Sequence, residues 1–360
     1  MKSNNNSIKT QKPKPFFYPI ICFFIVFILM IVVLIIQKYA PFGNNCFAWM
    51  DGNVQYMDFF AYLKDVFEGK NNVIYTLSNM LGGTSIGILG YYLTSPLNVL
   101  ILLFDKANIP AFFNILVILK LSLAGFTFSY YLQRRFNNKI QAIFLILLSI
   151  SYALMQYNIA QASNIMWLDG VYMLPLILIG VYELVKSKKI KYLSITVGLS
   201  IIFNWYTGGI NCLFSIFWFL VEEILEKIEN QTEKNFKKFV YDIARYTIAM
   251  VIGVMLSAVI FLPNVLVLKG GRGSSFDWTF FKNNFTGNII SMIPNYSLGA
   301  VSTQTNLSIF CGTIPLLGCI MLFTSKLHNN KIKMLLGSSL LIAIMFCYWQ
   351  PFILMFSLLK

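Results

Sequence analysis

Acidic residues are scarce in this chain, 14 Asp plus Glu in 360 residues, so each position that carries one is informative. Asp51 opens the stretch Asp51-Gly52-Asn53-Val54-Gln55-Tyr56. It follows a charge-free apolar run from Phe16 to Ile36, long enough to cross a bilayer, since a spanning helix needs about 20 apolar residues. A carboxylate in the first loop beyond a membrane span has the chemistry of a general base, or of an acceptor-binding group, toward a membrane-borne substrate. Asp is also a favoured helix N-cap, and Asp-Gly is a turn signal. The two roles are compatible, because a cap residue is held in place by its own backbone. Gln55, one turn further on, is placed to hydrogen-bond a sugar or Asp51 itself.

Other residue types out of keeping with their surroundings are few. Asp169, in Met166-Trp167-Leu168-Asp169-Gly170, sits at the start of an apolar run. It fits a helix N-terminus with Trp167 as an interfacial anchor, and equally a second carboxylate for acceptor activation or transient cation binding. Lys120 lies well inside an apolar stretch. An intramembrane lysine is costly and usually faces a cavity or a partner, so Lys120 is a candidate for a lipid phosphate. Lys269 and Arg272, among Gly270, Gly271 and Gly273, form a flexible cationic loop suited to a phosphate or pyrophosphate leaving group; a plain solvated loop fits as well. The glycine spacing is not that of a nucleotide-binding P-loop.

These groups must be positioned by membrane helices. Hydrophobic residues make up 57% and charged residues 12% of the chain, against about a quarter charged in a soluble domain. The surplus falls in repeated long runs, the pattern of an all-α polytopic membrane protein. The weak alternation of an outer-membrane barrel is absent. The net charge of +14 does not indicate nucleic acid, because the Lys and Arg cluster in short loops between apolar runs, as positive-inside loops do. The cysteines include no C-x-x-C pair and the single histidine is His328, so neither a zinc site nor a disulfide scaffold is expected, and no metal ligands are assigned. Residues 1–15 read as a basic, Asn-rich cytoplasmic tail, and 16–360 as one transmembrane domain.

Charge sets the topology. Lys2, Lys9, Lys12 and Lys14 place the N-terminus inside. If 83–104 does not cross, Arg134-Arg135-Lys139, Lys186-Lys188-Lys189-Lys191, Lys234-Lys237-Lys238 and Lys326-Lys331-Lys333 all fall inside; if it crosses, all fall outside. The segment 83–104, interrupted by Tyr91, Tyr92, Ser95 and Pro96, is therefore expected to be interfacial or re-entrant. About nine spans follow, at roughly 16–37, 110–132, 140–157, 171–185, 191–208, 211–225, 240–262, 307–325 and 333–356. The exterior segments are a large first loop, 38–109, a short one, 158–170, and a polar third, 263–306. In the first loop, Tyr56, Phe59, Phe60, Leu63, Val66 and Phe67 share one face of a predicted helix over 53–68, which is expected to lie flat in the membrane interface.

Several motifs together resemble the bacterial YfhO family: the basic tail and first span, Asp51-Gly52-Asn53-Val54-Gln55-Tyr56, Tyr91-Tyr92-Leu93-Thr94-Ser95-Pro96, the Lys120 span, Met166-Trp167-Leu168-Asp169-Gly170 with Leu174-Pro175, and Asn204-Trp205-Tyr206-Thr207-Gly208. The resemblance extends over essentially the whole chain, although family members are usually longer, which suggests a truncated or split form. It implies a GT-C-like transmembrane helix bundle and a membrane glycosyltransferase. Such an enzyme takes a sugar from a polyprenyl-phosphate donor such as undecaprenyl-phosphate and passes it to a cell-surface glycopolymer such as lipoteichoic acid, in Gram-positive bacteria. By resemblance Asp51 is the catalytic base; Asp169 matches a second exterior acidic position, and Tyr56 and Gln55 join Lys120, Lys269 and Arg272 as substrate-binding groups. No cofactor is required, although a divalent cation between Asp51 and Asp169 is compatible with the pattern. Two other classes remain open on the sequence: a transporter or flippase of lipid-linked substrates, and an inactive assembly subunit.

Overall fold

The computed structural model describes residues 16–77, 82–231, 236–270, 296, 310–327 and 329–348. Nearly all of the regular structure is helical. Helix α1 (Phe17–Ile36) buries a stripe of Cys22, Val26, Met30 and Leu34, while Phe24, Ile28, Val32 and Ile35 remain exposed on its remaining surface. Helices in lipid gain little from hiding apolar side chains from one another and associate through close packing. Gly125 of α4 (Ile109–Arg135) supplies it here: a Cβ at that position would lie 3.2 Å from Val26 Cγ2.

Helices α4 and α7 (Leu168–Ser187) form the buried centre of the bundle. Helix α4 packs on α1, on α5 (Ala142–Ala153) and on α7; α7 packs in turn on α8 (Lys191–Phe203) and α9 (Trp205–Asn230). A short α6 (Gln156–Ala160) follows α5, α10 (Phe236–Leu256) covers α8, and α11 (Ala258–Gly270) continues beyond a break at Ser257. Later in the chain lie α12 (Thr313–Thr324) and α13 (Asn330–Tyr348).

Six helices or continuous helix pairs among the described residues are long and apolar enough to cross a membrane, fewer than the nine spans expected. Part of the difference has identifiable causes, and the expected 333–356 span extends past Tyr348 to lie partly outside the described residues. Helix α8 has 13 residues and α12 has 12; at ~1.5 Å rise per residue each reaches only ~20 Å, short of a ~30 Å hydrocarbon core. The break expected near 208–211 lies instead at Asn204, and a single α9 continues to Asn230. The expected 240–262 span is divided at Ser257, and Pro263 lies inside α11 rather than opening the third loop.

The segment 83–104 does not run straight. A short α3 (Ile86–Ile88) widens into a π-helical turn (Leu89–Leu93), and after Ser95 a 3-10 helix (Pro96–Leu103) departs at 93°. Ser95 is extended, with ψ 130, as the residue before a proline prefers. In the first loop, strands β1 (Tyr75–Thr76) and β2 (Gly83–Thr84) pair antiparallel. The helix expected over 53–68 is a π-helical turn (Gly52–Tyr56) leading into α2 (Met57–Phe67). Part of its apolar face is covered by protein, while Phe67 remains exposed. Phe60 and Leu63 are buried, with the Phe60 ring 5.1 Å from Phe112 and 6.1 Å from Phe113 of α4. Aromatic partners on α4 take up that part of the face.

Ion pairs gather at the end of the bundle where α4 and α7 terminate. Arg134 pairs with Glu183, Arg135 with Glu222 at 2.8 Å, Lys186 with Glu226 at 2.9 Å, and Lys188 with Asp242 at 2.7 Å. Several of the basic clusters used to set the topology therefore occupy one end of the molecule, and Asp51 lies beside the opposite end of α7.

Candidate active site

The Asp51 turn is fixed by the loop between α6 and α7. The Trp49 amide donates to Ser163 Oγ at 2.8 Å, and that hydroxyl donates back to the Trp49 carbonyl at 2.6 Å. Gly52 completes the dock, since a Cβ there would lie 2.5 Å from Ser163 Oγ. One turn on, the buried Tyr56 hydroxyl donates to Asn164 Oδ1 at 3.0 Å, and Asn164 Nδ2 donates to Gln161 Oε1 at 2.7 Å. Asp51 itself has helical dihedrals and makes no capping hydrogen bond. The cap role open on the sequence is therefore not the one this side chain plays.

Asp51 and Tyr56 line a cavity of about 530 Å³, within the size range of small-ligand sites. Its walls come from distant parts of the chain: Tyr91 and Tyr92 on the π-helical turn after α3, Trp167 just before α7, Trp205 at the start of α9, and Asn264 of α11. The tyrosine pair is T-shaped at 4.6 Å, Tyr92 is 5.2 Å from Tyr56, and Tyr91 is 6.0 Å from Trp205. Trp167 Nε1 donates to the Tyr91 hydroxyl at 3.1 Å. The Trp205 indole N–H is buried with no partner among the described residues. Burial above all, then the neighbouring Tyr92 and the Asp51 carboxylate, hold the Tyr56 hydroxyl well above the ordinary phenol range. Tyr56 is thus a neutral hydrogen-bonding group at any physiological pH.

The bend holding Tyr91 and Tyr92 is anchored at the α8–α9 break. Asn204 caps α9, its Oδ1 accepting from the Thr207 amide at 2.8 Å and from Thr207 Oγ1 at 2.7 Å. Its Nδ2 donates to the Tyr91 carbonyl at 2.6 Å, and Thr94 Oγ1 donates to the Phe203 carbonyl at 3.2 Å. Gly90 permits contact with α11, since a Cβ there would lie 1.9 Å from Asn264 Nδ2.

The sequence-predicted site residues part company. Asp51 and Tyr56 are brought together at the cavity; Gln55 is exposed on the same turn and does not line it. Lys120 and Asp169 meet each other instead. Lys120 Nζ donates to Asp169 Oδ2 at 2.7 Å and to the Ile165 carbonyl at 3.0 Å, while Asp169 Oδ1 accepts from Ser95 Oγ and from the Tyr172 hydroxyl, both at 2.6 Å. Both are about 1% exposed, and neither lines the cavity. Their place in the sequence, each a lone charge in an apolar run, marks them as unusual but does not reveal that they neutralise one another. Asp169 engages its oxygens with three donors, which leaves little for a cation shared with Asp51. Among the described residues no group of three or more His, Cys, Asp or Glu is arranged to hold a metal ion. Lys269 lies in the last turn of α11, two residues past the cavity-lining Val267; its side chain and the whole of Arg272 lie outside the described residues.

Ser163, Asn164 and Asn264 carry no signal in the sequence, being ordinary polar residues of loops and helices. Tyr91, Tyr92, Trp167 and Trp205 stand in the quoted motifs, and their aromatic character beside turns is the signal that marks them. No curated protein and no solved structure matches this chain. A family model described as bacterial membrane protein YfhO matches residues 22–360, nearly the whole sequence, and the chain belongs to that family.

Proposed function

We propose that this protein is a GT-C-type membrane glycosyltransferase. It moves a sugar from a polyprenyl-phosphate donor to a cell-surface glycopolymer of the lipoteichoic acid kind at the exterior face. The observation that carries this reading is the Asp51 carboxylate, which lines an aromatic-walled cavity and has no hydrogen-bond or ion-pair partner among the described residues. A general base needs such a free carboxylate within reach of the proton it removes. The aromatic wall suits the apolar C–H faces of a sugar, and family membership supplies the membrane setting.

In the proposed reaction Asp51 takes the proton of an acceptor hydroxyl as its oxygen attacks the anomeric carbon. The bond from that carbon to the donor phosphate oxygen breaks, and the electron pair leaves with the polyprenyl phosphate. One displacement inverts the anomeric centre. Tyr56 and the Tyr91–Tyr92 pair are the hydrogen-bonding groups on the cavity wall that would meet sugar hydroxyls. Lys120, tied to Asp169, is not free to meet the leaving phosphate, so that role passes to Lys269 and Arg272. No cofactor is invoked.

Sugar analysis of surface polymers in a deletion strain tests the reading. Loss of one sugar substituent from the polymer, restored by the wild-type gene, is the expected result. An unchanged sugar content, with the lipid-linked sugar still consumed at its normal rate, would sink the assignment in favour of a non-catalytic role.

A further inference from the structure

A second pocket, of about 350 Å³, opens at the other end of the bundle, between the C-terminal ends of α4 and α7. Its walls are polar. Arg134, Lys186 and Lys189 contribute three positive charges against the one negative charge of Glu183. Arg134 and Lys186 are engaged with Glu183 and Glu226, whereas Lys189 is exposed and has no ion pair among the described residues.

One further observation marks this pocket as built for a ligand rather than left between helices. Gln133 lines it and is 4% exposed, yet both atoms of its amide lack a hydrogen-bond partner among the described residues. A buried amide with donor and acceptor both empty is costly unless something entering the pocket satisfies them. Asn137 and Asn138, also in the lining, are consecutive non-glycine residues in the left-handed region, at φ 49 and 57. They end α4, the Asn138 amide donating back to the Gln133 carbonyl at 3.0 Å, as asparagine readily does in this region.

The chemistry required is specific. The surplus positive charge calls for an anion. The Gln133 amide calls for one group that accepts from its nitrogen and one that donates to its oxygen, which a bare anion without a hydroxyl cannot supply. We propose that this pocket binds a phosphate ester that carries a free hydroxyl, of the glycerophosphate type. The proposal is independent of the chemistry at Asp51, which lies at the opposite end of α7. The pocket sits where the long apolar helices α4 and α7 end, with Phe136, 47% exposed, in the adjoining loop, a residue type suited to a membrane interface. The same headgroup chemistry is available from a phosphatidylglycerol lipid and from soluble glycerol 3-phosphate.

Thermal unfolding of the full-length chain in detergent, titrated with short-chain phosphatidylglycerol, short-chain phosphatidylcholine or glycerol 3-phosphate, separates these sources, because a ligand of the folded state raises the midpoint in proportion to its binding. Phosphatidylglycerol is expected to raise the midpoint more than phosphatidylcholine, which lacks the hydroxyl. A response to glycerol 3-phosphate with none to either lipid would support the site with a soluble ligand. Lys189→Gln, which loses one hydrogen bond to a charged group, is expected to weaken binding about tenfold, and Gln133→Leu, which loses two hydrogen bonds, by about tenfold or more. Gln133→Leu, which removes an unsatisfied amide, is expected to leave the ligand-free midpoint unchanged or raised. Equal non-zero responses to the two lipids, no response to any probe, or wild-type binding by Lys189→Gln would overturn the proposal. Lys189 is exposed, so its variant folds whatever becomes of Gln133.

Discussion

The free state of Asp51 is maintained by its neighbours. Gly52 has no room for a Cβ against Ser163 Oγ, 2.5 Å away. Gly52→Ala must push the turn off its dock and is expected to cost about 1–3 kcal/mol, the usual range for overpacking. The check is a lower thermal midpoint together with a fall in sugar transfer larger than that caused by Ser163→Ala, which removes hydrogen bonds without adding volume. Lys120 and Asp169 show the opposite case, two charges that neutralise each other. Lys120→Met strands a buried carboxylate and is expected to destabilise the protein by about 3–5 kcal/mol. Adding Asp169→Asn on the Lys120→Met background is expected to recover most of that loss, since the amide oxygen keeps an acceptor for Ser95 and Tyr172 without the charge. Thermal unfolding of the two variants decides the matter; equal midpoints for the single and double variants would contradict it. At this scale the sequence is legible where a residue stands out alone. Asp51 is conspicuous because carboxylates are rare and one follows a charge-free span. Lys120 and Asp169 are conspicuous for the same reason, but they lie 49 positions apart on different helices, and no periodicity reveals that they pair.

At the scale of elements, the cavity depends on two interruptions of helix, the bend at Ser95 and the break at Asn204. The first is legible: a proline after Tyr91, Tyr92 and Ser95, in an apolar run too short on either side to cross, announces a segment that turns. The second is legible only in part. Asn204, Thr207 and Gly208 signal an interruption in the sequence but not its place, and only the structure shows Asn204 capping α9 while its amide reaches the Tyr91 carbonyl. Helix 53–68 is legible in its periodicity but not in its partner, because an apolar face suits lipid and protein alike until α4 presents Phe112 and Phe113. Asn204→Ala removes the cap and the tie to the bend together. The cap alone is expected to cost about 1 kcal/mol, within a range of ~0.5–2, and the loosened Tyr91–Tyr92 wall is expected to raise the KM for the lipid-linked sugar. Asn204→Ser, which keeps a cap but cannot reach Tyr91 as an amide does, is expected to restore most of the stability and little of the KM. If both recover together, the tie to Tyr91 has no part in the site.

The whole molecule has a basic end, where α4 and α7 finish among ion pairs, and a far end that holds the Asp51 cavity. This polarity is legible from charge, because loops of one sign recur between apolar runs, whereas the number of spans is not, since helices as short as α8 and α12 look apolar without being long enough to cross. Asn53→Cys and Lys189→Cys, each in a background lacking the exposed Cys319, report the orientation. An impermeant thiol reagent is expected to label the first in intact cells and the second only after permeabilisation; the reverse pattern would put the cavity inside. The proposed reaction belongs to this scale, because it would need the bilayer for its donor and the far end for its acceptor. It is measured in membranes carrying Asp51→Asn, supplied with a polyprenyl-phosphate sugar and the surface polymer, with protein level and insertion checked alongside. Transfer is expected to fall to background while the protein remains folded and inserted, and sugar transfer at near the wild-type rate by that variant would contradict the role of Asp51 as the base.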